Sequence, residues 1–156
     1  MRIAVIGAGA MGSIYGGHLS LHNDVYLVDT NPNVVAAVNE NGLKLQEYGT
    51  DNLYHPKAVT STEGIEPVDL IILFVKALFS KAALAGNKAL IGPDTYVLTL
   101  QNGSGHEDIL GEFVDQDHII IGTTEDNVAP LGFDRYAAHT CRAVHHPCRG
   151  RKRQVL

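Results

Sequence analysis

Three glycines follow an apolar run at the start of the chain. RIAVIGAGAMG, residues 2–12, sets Gly7, Gly9 and Gly12 in the order G-x-G-x-x-G. That spacing suits a main chain that must approach a phosphate. Gly7 permits a tight turn, Gly9 lets the backbone come close to a pyrophosphate, and Gly12 lets a helix pack hard against the preceding strand. Ala8, Ala10 and Met11 fill the intervening positions of this dinucleotide-binding pattern, and a helix opening here would present free N–H groups and a partial positive charge to the phosphates. The plain alternative is a glycine-rich turn that holds no ligand. Asp29, 17 residues beyond Gly12, stands where an acid accepts hydrogen bonds from the adenosine ribose hydroxyls. Its other reading is an ordinary loop acid ahead of a helix. A carboxylate there repels a 2′-phosphate, and VDTNPN offers no arginine or lysine to bind one, so NADH is favoured over NADPH.

Two further side chains have the right types for work on a small polar substrate. Lys76 and Asn102 each stand just after a buried apolar run, and in an open α/β sheet the C-terminal strand ends line the ligand crevice. An ammonium and an amide there suit a carboxylate, a carbonyl or the nicotinamide ribose. Lys76 as a solvated lysine and Asn102 as a turn residue before Gly103 are the plain alternatives. His106, Glu107 and Asp108 invite an acid–base reading, but acids at a helix start are more simply explained by the helix dipole. Cys141, His145, His146 and Cys148 are zinc-ligand types crowded into eight residues without a standard finger spacing, and no metal site is assigned to them.

The elements needed to hold these residues are legible in the apolar pattern. RIAVIG is a short buried strand. Met11, Ile14, Tyr15 and Leu19 follow helical offsets, with Gly16-Gly17 implying close packing against a neighbouring backbone. VYLVD is a second strand. Asn31 caps a helix with Pro32 in its first position, Val34, Val35 and Val38 facing inward and Asn41-Gly42 closing it. Residues 42–60 read as short strands or a hairpin. VDLIILFV (68–75) is a strand covered on both faces, an Ala-rich helix runs to about Leu90, and TYVLTL (95–100) and HIIIGTT (118–124) are strands either side of a short helix over roughly Glu107–Val114. Alternation of strand and helix predicts a doubly wound, mostly parallel α/β sheet of the Rossmann type.

The chain has 156 residues, 45% apolar and 19% charged, enough for a single domain with its own core. Two cysteines give no disulfide framework, and no apolar run is long enough to cross a membrane. A cytoplasmic location is expected, with no role for membrane or nucleic acid. Charge is unevenly placed. Residues 1–134 carry six Lys/Arg and all seventeen Asp/Glu, whereas residues 135–156 carry six Lys/Arg and no acid.

Four ordered motifs, RIAVIGAGAMGSIYG, LFVKA, LTLQNGSGHEDIL and IIIGTTEDN, together resemble the N-terminal domain of ketopantoate reductases (2-dehydropantoate 2-reductases) over residues 1 to about 127. The resemblance implies hydride transfer from NAD(P)H to the ketone of 2-dehydropantoate, a 2-oxo acid, on the way to pantothenate and coenzyme A. It makes Lys76 and Asn102 active-site residues, Asn102 touching both cofactor and substrate and Lys76 positioning the reacting groups. The chain departs from the family in having Asp29-Thr30 where members often carry a basic residue for NADPH. Members also continue into an all-helical domain that supplies the lysine protonating the substrate carbonyl.

The expected division is therefore a dinucleotide-binding domain over residues 1–127 and an irregular basic tail over 128–156, the helical catalytic domain being absent. The tail is rich in Arg, His, Cys and Pro and has no strand or helix period, as after a slipped reading frame. Its RGRKR run is read as solvated. A homo-oligomer is expected. The rivals to an oxidoreductase are an NAD(H)-binding module without chemistry and a non-functional remnant.

Overall fold

The computed structural model describes residues 1–101, 105–124, 127–140 and 143–144. In chain order the elements are β1 (Arg2–Ile6), α1 (Ala10–Leu19), β2 (Asp24–Val28), α2 (Pro32–Asn41), β3 (Leu43–Glu47), β4 (Thr50–Tyr54), β5 (Lys57–Val59), β6 (Leu70–Leu73), α3 (Ser80–Gly86), β7 (Tyr96–Thr99), α4 (His106–Leu110), β8 (Ile119–Ile121), β9 (Thr123–Thr124), β10 (Asn127–Pro130), β11 (Arg135–Thr140) and β12 (Ala143–Val144). Six strands form a wholly parallel sheet in the order β5-β2-β1-β6-β7-β8. The chain starts in the middle, winds outward through β2 to β5, then crosses back to β6 on the other side of β1. That reversal between β1 and β6 is the topological switch point, where ligands bind in such sheets.

Strand alternation supplies both faces of the core. From β1, Ile3 and Val5 join Ile14 of α1 and Val34 and Val38 of α2 on one face. Ala4 and Ile6 join Leu84 of α3 and Leu110 of α4 on the other. Strand β6 divides likewise, Ile72 toward the first cluster and Ile71 and Leu73 toward the second, so the expectation of a strand covered on both faces holds. Helix α2 is capped as its sequence predicts. The Asn31 side chain accepts the Asn33 N–H at 3.0 Å, and Gly42 closes the helix at φ 74°. The Ala-rich segment is more broken than its composition suggests, since α3 is flanked by 3₁₀ turns at Ala77–Phe79 and Lys88–Leu90.

A second sheet, ordered β10-β11-β3-β4, lies over α1. Strands β3 and β4 form the anticipated hairpin, turning at Tyr48 and Gly49, both with positive φ. The pair Gly16-Gly17 serves this arrangement, but against side chains rather than the neighbouring backbone expected from sequence. A Cβ at Gly16 would meet Leu27 at 2.4 Å, and one at Gly17 would meet Leu45 and Leu43 at 3.1 and 3.2 Å. The helix is thus squeezed between two sheets, and small residues let both approach.

The tail also differs from expectation. A boundary after residue 127 falls inside β10, and β11 pairs in parallel with β3, Tyr136 opposite Leu45. Tyr136, Ala137 and Ala138 are buried. Strands β10, β11 and β12 therefore fall in a stretch read as aperiodic, with Tyr136 and Ala138 of β11 packed into the same core cluster as Ile14 of α1, a contact that local pattern does not reveal. Cys141, His145, His146, Cys148 and the RGRKR run lie outside the described residues.

Candidate functional site

Parallel strands bring their C-terminal ends to one edge. Gly7 after β1, Asp29 after β2, Phe74 to Lys76 after β6 and Gln101 after β7 all lie there, through the registers Ile6↔Val28, Ile6↔Leu73 and Leu73↔Thr99. The glycine loop begins with Gly7 at φ +100°, its N–H donating to the Val28 carbonyl at 2.8 Å. A Cβ on Gly7 would sit 2.9 Å from the Phe74 carbonyl carbon, and one on Gly12 would sit 1.8 Å from the Gly7 carbonyl oxygen. Both glycines are therefore required by backbone packing. Gly9 is different. Nothing lies within 4 Å of the Cβ it lacks, and it is exposed, which is the open approach a pyrophosphate needs.

Helix α1 starts immediately behind it. The Ser13 N–H donates to the Gly9 carbonyl at 2.8 Å as the first helical bond, which leaves the N–H groups of Ala10, Met11 and Gly12 without an intrahelical acceptor. Its first turn carries no acidic residue, and the positive end of its dipole lies at the glycine loop. Ala8 is buried and held on three sides. Its N–H donates to Asp29 Oδ2 at 2.9 Å, and its carbonyl accepts from Ser13 Oγ and the Tyr136 hydroxyl, both at 3.1 Å.

Asp29 thus has a structural task that its position in the sequence does not disclose. Its second oxygen, Oδ1, accepts the Asn31 N–H at 2.9 Å. Each carboxylate oxygen can accept a further hydrogen bond, so the carboxylate, half-buried at the rim, retains acceptor capacity toward a ribose.

Lys76 stands exposed at the same edge, and Leu78 and Phe79 beside it are 86% and 53% exposed. Asn102 lies outside the described residues. Its neighbour Gln101 was not anticipated, and it ties the loops together. Gln101 Oε1 accepts from Ser80 Oγ at 2.9 Å and from Thr99 Oγ1 at 3.0 Å, while Nε2 donates to the Val75 carbonyl next to Lys76. An amide directly beside the assigned Asn102 was the available signal. His106 is buried. Behind the glycine loop, the rings of Tyr15 and Phe74 lie 4.9 Å apart, and Tyr15 Oη donates to Thr124 Oγ1 at 3.1 Å.

The family model for ketopantoate reductase PanE/ApbA matches residues 3–146. The chain belongs to the ketopantoate reductase family. Within that family, the 2-dehydropantoate 2-reductase of Lactococcus lactis is 43% identical over 129 residues, an alignment covering 80% of this chain and 41% of the relative. Among solved structures, a D-mandelate dehydrogenase with NADH and anilino(oxo)acetate superposes with a TM-score of 0.82 at 39% identity, covering 90% of this chain and 46% of that one. A 2-dehydropantoate 2-reductase from Geobacter metallireducens superposes with a TM-score of 0.84 at 28% identity, covering 98% and 51%. The chain therefore spans about half or less of the length of these ketopantoate reductase relatives. The family match extends well beyond residue 127, where the motif resemblance stops.

Proposed function

We propose that these residues form the cofactor-binding part of an oxidoreductase that reduces the ketone of a 2-oxo acid with a nicotinamide cofactor, 2-dehydropantoate being the substrate the family implies. The observation that carries the reading is the glycine cradle at the switch point, closed at Gly7 and Gly12 and open at Gly9. The cofactor supplies a hydride for the carbonyl carbon, and a proton on the oxygen completes the 2-hydroxy acid. Gly9 and the start of α1 would hold the pyrophosphate, Asp29 would receive the ribose, and by the family resemblance Lys76 and Asn102 would serve the nicotinamide and the substrate. Similarity to a D-mandelate dehydrogenase crystallised with NADH and anilino(oxo)acetate, which carries a carbonyl next to its carboxylate, supports a 2-oxo acid and NADH.

NADH is expected to bind more tightly than NADPH by about 10–100-fold, the scale of one or two charge-assisted hydrogen bonds lost to a repelled 2′-phosphate. Titration calorimetry with both cofactors tests this, and equal or tighter NADPH binding sinks it. Asp29→Asn should narrow the gap, the amide oxygen still accepting from Ala8 while the bond from the Asn31 N–H is lost. A cofactor-binding module without chemistry is the second reading, and it predicts the same titration with no turnover.

A homo-oligomer is also expected. Leu78 and Phe79 are exposed together beside the crevice, and among the described residues β4 is an edge strand of its sheet, surfaces that commonly find partners. Light scattering should report a dimer or larger at micromolar concentration, and a clean monomer would refute it.

A further inference from the structure

We propose that Tyr136 is a positioning residue of the dinucleotide site, fixing through the Ala8 carbonyl the direction in which the Gly9 N–H points. The proposal rests on the cofactor-binding reading and assigns part of that site to a segment that carries none of the family motifs. Tyr136 sits in β11, 4% exposed, and its hydroxyl lies 3.1 Å from the Ala8 carbonyl, the nearer of two acceptors, the Phe133 carbonyl being at 3.4 Å. Ser13 Oγ donates to the same oxygen at 3.1 Å. The carbonyl of Ala8 and the N–H of Gly9 belong to one planar trans peptide and point in opposite directions. Two donors buried behind the carbonyl therefore turn the Gly9 N–H the other way, away from Ser13 and Tyr136, at a residue that is itself exposed. Asp29 Oδ2 holds the preceding peptide by the Ala8 N–H at 2.9 Å, so two consecutive peptide planes at the cradle are fixed from behind.

The phenol suits this task. Burial holds it above its ordinary value of 10.0, and the Asp29 and Asp134 carboxylates push the same way against the Ser13 hydroxyl. Tyr136 therefore stays a protonated donor across the physiological range. The backbone reinforces the placement. Tyr136 lies opposite Leu45 of β3, and the Lys44 N–H donates to the Asp134 carbonyl at 2.7 Å. Phenylalanine at 136 keeps the ring and its packing and deletes the hydroxyl, with its bonds to the Ala8 and Phe133 carbonyls and its contact with the Ser13 hydroxyl.

The test uses isotope-labelled chain, wild type and Tyr136→Phe, titrated with NADH and followed by NMR. The variant is expected to fold, to move the Ala8 carbonyl and Gly9 amide resonances, and to bind NADH about fivefold more weakly, the scale of one hydrogen bond. A variant with both resonances and affinity unchanged overturns the proposal. So does one whose resonances move while affinity holds. Should the variant fail to fold, the wild-type Tyr136 hydroxyl decides. Slow proton exchange, read from a split Cζ resonance in mixed H₂O and D₂O and slowed further by NADH, supports the proposal, and fast exchange overturns it. A wild type with no affinity for NADH would instead overturn the functional reading together with the cofactor role of Tyr136. Resonances that still moved in the variant would then mark that failure as one of function and not of loop geometry.

Discussion

Alanine at position 12 is expected to abolish NADH binding and to cost about 3 kcal/mol of stability. The new Cβ would lie 1.8 Å from the Gly7 carbonyl oxygen and 3.0 Å from its carbon. Both are backbone atoms, so no side chain can swing aside, and α1 must lift from the loop. Overpacking of this kind typically costs 1–3 kcal/mol and sometimes more. The better helix propensity of alanine returns only about 1 kcal/mol, so the clash wins. A lifted helix also withdraws its first N–H groups from the crevice. Gly9→Ala is the informative partner. Its methyl enters open space, so stability should stay within about 0.5 kcal/mol of wild type, while NADH affinity falls at least ~10-fold because the methyl occupies the approach of the phosphates. Urea unfolding and calorimetry separate the two effects. A Gly12→Ala chain with wild-type stability and affinity would show that the loop and helix are less tightly joined than their geometry requires.

Expressed alone, these 156 residues are expected to bind cofactor yet turn over 2-dehydropantoate at least ~100-fold below the ~10 s⁻¹ of an ordinary enzyme. Hydride addition builds negative charge on the ketone oxygen, and a positioned general acid there contributes about 10²–10⁴-fold. The family resemblance assigns that acid to a domain beyond the portion of the relatives that this chain spans. The side chains at the crevice make the same point from this side. Lys76 is exposed, with Leu78 and Phe79 uncovered beside it, and water reaching the reacting oxygen weakens each remaining electrostatic contact. Loss of NADH absorbance under saturating ketone is the measurement. Turnover near the ordinary value, abolished by Lys76→Ala, would mean that this edge of the sheet already holds a complete catalytic group.

Local physics made the first half of the chain legible. The apolar run of β1, the glycine spacing and the Asn31-Pro32 cap act within a few residues of one another, and each took the predicted form. Strand β6 was legible for the same reason, since its continuous apolar run permits few other fates. Long-range contacts were not legible. The purpose of Gly16-Gly17 depends on Leu27, Leu43 and Leu45 arriving from two different sheets. The hydrogen bond from the Ala8 N–H to Asp29 depends on where the glycine loop ends up, whereas the one from the Asn31 N–H closes within two residues. The role of Gln101 was not legible, because Val75 and Ser80 become its neighbours only once β6 and β7 pair. Strand β11 was hidden most completely. RYAAHT has little β-branched content, and its partner β3 lies far back in the sequence.

That parallel pairing of β11 with β3 bears on the order in which the molecule assembles. The β3–β4 hairpin closes a short loop, whereas β11 must return across most of the chain, a closure whose entropy is lost before any contact repays it. Until it does, α1 has one face on the parallel sheet and an incomplete cover on the other, and the Ala8 carbonyl has Ser13 but not Tyr136. The central sheet can form first and leave the cradle loosely held. Refolding followed by cofactor fluorescence should therefore lag behind refolding followed by far-ultraviolet circular dichroism. The delay measures the time β11 takes to reach its place.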